Sequence, residues 1–132
     1  MECFERFMAW ANQTENPDGF TVTDCDNGDK VVTFFELHEK KTYAFTLLFH
    51  ADEGDGAIEV FIQYPTPKKY IELHVLNALN RCNKEYRSMS WFLGEGFVAM
   101  KTQVQQTEDI DFLRAFLSSA LNIAAEELPK VF

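Results

Sequence analysis

Apolar residues recur at helical spacing through residues 67–86, where Ile71, Val75, Leu79, Cys82 and Tyr86 form one row and Leu73, Leu76 and Ala78 widen it. Pro67 suits a first turn, because its fixed φ matches the helix and its missing N–H has no partner to lose there. The spacing predicts a helix over 67–86 around which the chain is organised. On both sides of it the period changes from 3.6 to two. Residues 20–23 alternate as a half-buried strand, and Asp26-Asn27-Gly28-Asp29 turns the chain back. Strands follow over 30–38, 42–50 and 57–64, separated by Glu39-Lys40-Lys41 and by Asp52-Glu53-Gly54-Asp55-Gly56. Beyond the helix, residues 88–94 and 96–104 make a hairpin about Glu95.

Helical patterns also sit at both ends. Residues 2–13 place Phe4, Phe7, Met8 and Ala11 on one face with Trp10 beside it. From 108 to 126, Ile110, Leu113, Phe116, Leu117, Ala120, Leu121, Ala124 and Leu128 make a buried stripe, with Thr107 as the expected N-cap and Pro129 as the stop. Loops this short force consecutive strands to be antiparallel neighbours. The predicted order is α-β-β-β-β-α-β-β-α, an α+β fold in which helices pack a single antiparallel sheet, one domain over residues 1–132.

Alternation also divides the strands into faces. Phe35 and Leu37, then Tyr43, Phe45, Leu47 and Phe49, then Ile58, Val60, Ile62 and Tyr64 fall together on the face assigned to the helices. The opposite face is mixed: Thr46, Glu59 and Gln63 are polar, while Phe34, Leu48 and Phe61 are not. With strands two to four in register, those three would form one outward apolar patch, the usual mark of an interaction surface on a small domain. The competing reading is that terminal helices cover both faces, or that the three residues scatter.

Composition narrows the class. With 132 residues, 46% of them apolar and thirteen Phe, the chain can bury roughly two thirds of its unfolded surface. No apolar run is long enough to cross a bilayer, and Met1-Glu2-Cys3-Phe4-Glu5-Arg6 lacks the positive start of a signal peptide. The expectation is a cytoplasmic chain without a membrane partner. A net charge of −9, with twelve scattered Lys and Arg, repels a phosphate backbone, so nucleic acid is not expected as a partner. Cys3, Cys25 and Cys82 form no C-x-x-C pair and read as reduced thiols.

Chemistry is sparse. His38, His50 and His74 do not fall at metal-ligand spacing, and no glycine-rich phosphate loop or nucleophile elbow occurs. The run Asp24-Cys25-Asp26-Asn27-Gly28-Asp29 resembles a calcium loop only faintly, since Phe35 stands where a bidentate Glu belongs. The acidic loop after His50 has the composition of a turn. Eight residues separate His74 from Cys82, about 12 Å along a helix and beyond proton-transfer reach. No catalytic residue, metal or cofactor is expected.

The segment Leu76-Asn77-Ala78-Leu79-Asn80, followed by the hairpin Trp91-Phe92-Leu93 to Phe97-Val98-Ala99-Met100, resembles the YbjN-like domains. In element order, over about residues 1–128, the chain is similar to the related type III secretion chaperone-like fold. The resemblance implies a sheet with helices packed against it, often dimeric. It also implies a small acidic protein that binds a partner chain in extended form without catalysis. Asn77 and Asn80, one turn apart, would bond to backbone of adjoining strands. One departure is that four strands precede the central helix here, against three in the secretion chaperones. The expected function is thus a non-enzymatic, homodimeric, chaperone-like protein-binding module, with partner contacts through Phe34, Leu48 and Phe61 and the first helix (Phe4, Phe7, Trp10). Two alternatives stand beside it. One is a small-ligand pocket lined by Trp91, His50 and Tyr64; the other is a regulatory domain whose acidic surface meets a basic protein.

Overall fold

The computed structural model describes residues 2–51 and 56–132, so most of the acidic loop read over residues 52–56 lies outside the described residues. Among the described residues, three helices and six strands follow in the predicted order: α1 (Glu2–Ala11), β1 (Thr21–Asp24), β2 (Lys30–His38), β3 (Lys41–Phe49), β4 (Ala57–Pro65), α2 (Glu72–Glu85), β5 (Ser90–Leu93), β6 (Phe97–Gln105) and α3 (Ile110–Glu127). The strands join one antiparallel sheet in the order β1-β2-β3-β4-β6-β5.

Register is set by the hairpin turns. β2 and β3 are linked by only Glu39 and Lys40, so His38 faces Lys41 and Phe34 faces Phe45. Both turn residues have positive φ (50° and 69°), the left-handed pair of a type I′ hairpin turn. Opposite residues of an antiparallel pair share a face. Since Tyr43, Phe45, Leu47 and Phe49 are buried, Val32, Phe34 and Glu36 must lie with them, and Phe35 and Leu37 point the other way. Alternation alone assigns Phe35 and Leu37 to the inner face and Phe34 to the outer one, and the register reverses this. Counting Lys41 as a turn residue shifts the pairing by one, and one residue exchanges the two faces. The assignments for β3 and β4 hold: Ile58, Val60 and Ile62 are buried against Phe49, Leu47 and Phe45.

The inner face carries the core, and all three helices contribute to it. Phe7 of α1 is fully buried among Phe20, Phe34 and Phe49, with ring centroids 5.8–6.1 Å away. From α3 come Leu113, Leu117, Ala120, Leu121 and Ala124, and from α2 come Val75, Leu79 and Cys82. α2 starts at Glu72, five residues later than Pro67 suggests, and Ile71 is its N-cap. Tyr70 packs its ring 5.8 Å from Phe132, in the stretch before the helix. Ile71, Leu73 and Leu76 are exposed rather than part of the buried stripe, which is Val75, Leu79 and Cys82. The cap of α3 is Asp109, whose carboxylate accepts from the N–H of Phe112 at 3.1 Å; Thr107 instead accepts from the N–H of Asp109.

α2 is fastened to the sheet edge by one amide. Asn83 donates from Nδ2 to the Trp91 carbonyl at 2.9 Å and accepts from the Trp91 N–H at 2.8 Å. A side chain thereby occupies the outward backbone groups of Trp91 in the edge strand β5, which blunts this edge toward another strand. The expected Asn77 and Asn80 stand exposed on α2 instead. At the same C-terminal end α2 joins α3 through Glu127, only 7% exposed, which accepts from Arg81 at 3.1 Å and from the Tyr86 hydroxyl at 2.8 Å. Burial pushes the Glu127 carboxyl up, but these two donors outweigh it and hold it below the usual carboxylate range. Bound to that carboxylate, the Tyr86 hydroxyl is pushed up to about 12.

Candidate functional site

The outer face of the sheet is the principal surface that the helices leave uncovered. Its cross-strand rows follow from the register. One runs Phe35, Ala44, Gln63, Ala99, Phe92, and the next Thr33, Thr46, Phe61, Lys101, Ser90. Phe35 and Leu37 are 72% and 71% exposed, values that a packed strand residue does not reach. Phe92 is partly exposed and meets Phe97 edge-on at 6.4 Å. Phe61 is half-buried, with the Lys101 ammonium 5.5 Å from its ring. Leu48 is half-buried between Val31 and Glu59.

Beyond Phe61 the face becomes charged. Lys101 pairs with Glu59 at 2.8 Å, Glu59 with His50 Nε2 at 2.7 Å, and Asp29 lies 3.4 Å from His50 Nδ1. The Ala51 N–H donates to Asp29 at 2.7 Å and is the main reason its carboxyl is held below the usual range. Lys101, then His50, does the same for Glu59. The outer face thus has an apolar end at Phe35 and Leu37 and an ion-paired end at Asp29 and His50.

Of the residues singled out from sequence, Leu48 and Phe61 lie on this surface. Phe34 does not: it is 5% exposed on the inner face, stacked 4.9 Å from Phe45 with ring planes 17° apart. Phe7 is core as well, because the α1 stripe that carries it is the one pressed onto the sheet. Phe4 and Trp10 are half-buried on the helical side, Phe4 edge-on to Phe49 at 5.5 Å and Trp10 beneath the Arg114 guanidinium at 4.8 Å. The pocket trio is not assembled: Trp91 sits in the core against Tyr86, Tyr64 against Tyr43, and His50 on the outer face. Sequence reasoning missed Phe35 and Leu37. A two-residue count for the Glu39-Lys40 turn would have found them. It also missed the apolar ridge of Tyr70, Ile71, Leu73 and Leu76, of which Ile71 is 74% exposed.

Among the described residues no group of three or more His, Cys, Asp or Glu could hold a metal ion, and no helix is long and apolar enough to cross a membrane. Cys3, Cys25 and Cys82 are free thiols; burial pushes Cys3 and Cys82 up, away from the reactive thiolate.

No model of a known family matches the chain, and no curated protein matches it either. One chain of a solved structure, "Structure of the HopA1-SchA Chaperone-Effector Complex", is similar to it with a TM-score of 0.54, over 96% of this chain and 94% of that chain. Identity is 10%, so the likeness is one of fold: the α+β arrangement of a single antiparallel sheet and packed helices is shared with a chain of a chaperone–effector complex.

Proposed function

We propose that this chain is a non-catalytic, chaperone-like module that holds a partner polypeptide against its outer sheet face and works as a homodimer in a reducing compartment. The observation that carries the reading is the exposure of Phe35 and Leu37, at 72% and 71%, on a face that continues through Phe61 to Phe92. Contiguous apolar surface of this kind on a small chain is costly in water and is relieved by a partner. Leu48 and Phe61 extend the contact toward the Asp29–His50–Glu59 end, where a basic segment of the partner finds carboxylates. The fold shared with a chain of a chaperone–effector complex supports the same reading. A YbjN-like kinship rests on Leu76-Asn77-Ala78-Leu79-Asn80 and supplies no activity to carry over.

For the second copy we assign the ridge of Tyr70, Ile71, Leu73 and Leu76, which is separate from the sheet face. Two variants separate the surfaces. F35S/L37S abolishes capture of the partner from native extract and leaves sedimentation unchanged. L73D/L76D shifts sedimentation from dimer to monomer. A native chain that stays strictly monomeric at all concentrations removes the dimer. An identical capture profile for F35S/L37S removes the sheet face.

A further inference from the structure

On the inner side, between β2, β3 and the helices α1 and α3, the packing leaves a cavity of about 200 Å³. Its aromatic wall is the stacked pair Phe34 and Phe45, and Leu117 and Leu121 of α3 also line it. Two charged side chains reach this apolar space, Glu36 from β2 and Arg114 from α3. Glu36 occupies the inner-face position after Val32 and Phe34, where alternation calls for an apolar residue. Among the described residues no cation pairs with it. Arg114 rests on the Trp10 ring at 4.8 Å, and its ion pair is a long one, 3.8 Å to the exposed Asp111.

We propose that this cavity binds a free apolar α-amino acid, of the phenylalanine or leucine type, with its ammonium on Glu36, its carboxylate on Arg114 and its side chain against Phe34 and Phe45. A carboxylate set into an apolar wall without a partner is unfavourable, and a cation relieves it. Burial pushes the Glu36 carboxyl up, as expected for a group still lacking that cation. The guanidinium is a planar fork of donors that suits a carboxylate and remains charged while stacked. Pockets for drug-sized molecules run to roughly 300–1,000 Å³, so this smaller space suits a ligand of amino-acid size. The proposal does not depend on the partner-binding reading, because its residues lie on the opposite face of the sheet.

Titration of the full chain with L-phenylalanine, followed by Trp fluorescence and by amide chemical shifts, tests it. Saturable binding is expected, with shifts at Glu36 and Arg114. Phenethylamine, which lacks the carboxylate, and 3-phenylpropanoate, which lacks the ammonium, are each expected to bind about tenfold or more weakly, the scale of one charged hydrogen bond. Glu36→Gln and Arg114→Gln should reproduce those two losses. The analogue series uses the native chain, so it decides even where a variant folds poorly. Absence of saturation, or equal binding of all three ligands, overturns the proposal. So does N-acetylphenylalaninamide binding as well as the free amino acid, since blocked termini mimic a residue within a partner chain.

Discussion

Alanine at Phe34 and alanine at Phe35, made one at a time, ask directly which face of β2 is buried. Phe34 is 5% exposed and lies 4.9 Å from Phe20, 4.9 Å from Phe45 and 6.1 Å from Phe7. Deleting a ring from such a cluster costs about 3–5 kcal/mol, as transfer plus the hole left behind. Phe34 already borders the 200 Å³ cavity, so it has fewer neighbours to lose and the expected cost is near 3 kcal/mol. Phe35 is 72% exposed. Only about 50 Å² of it leaves water, which at about 25 cal/mol per Å² gives roughly 1 kcal/mol. Equilibrium urea unfolding, followed by far-UV circular dichroism, reads both. With a slope of about 2 kcal/mol per M, the midpoint falls by roughly 1.5 M for Phe34→Ala and by about 0.5 M for Phe35→Ala. Equal losses, or the reverse order, would show that β2 pairs with β3 one residue out of the register described. The outer surface proposed for the partner would then be wrong.

Three further outcomes follow from the same geometry. Replacing Glu39-Lys40 by Asn-Gly relieves two side chains held at positive φ and should raise stability by about 1 kcal/mol; a lower thermal midpoint would contradict the two-residue turn. Asn83→Ala strands the Trp91 N–H and carbonyl and should cost about 1–3 kcal/mol in urea unfolding, whereas an unchanged midpoint would show that solvent replaces the amide. Asp29 and Glu59 are held below the usual carboxylate range, so the unfolded chain binds their protons first. Their contribution is complete above the ordinary carboxylate range and is lost as pH falls through the lowered values. D29N/E59Q should therefore flatten the acid limb of a stability–pH profile, and a limb as steep as that of the native chain would exclude these two carboxylates as its source.

Much of this protein is written in local periodicity. Alternation over 42–49 and 57–64 shows which side chains of β3 and β4 are buried, because a pleated strand sends successive side chains to opposite faces whatever its neighbours do. The α3 stripe is legible for the same reason at period 3.6. The α+β order and antiparallel pairing follow from loops too short for crossovers. Where two periodicities must be related to each other, local pattern is silent. Phe34 and Phe35 are identical residues side by side, and only the count of residues in the Glu39-Lys40 turn decides which one meets Phe45. Likewise Leu73 and Leu76 read as core on a helical wheel but stand in water, because α2 lies along β5 at the edge of the sheet and presses only Val75, Leu79 and Cys82 inward. The cavity that Glu36 and Arg114 both line belongs to four separate elements, and its existence is a property of how α1 and α3 settle on the sheet. Burial pattern is carried by single elements and so is present in the sequence; the surfaces and cavities that could bind something arise between elements, and tertiary packing alone determines them.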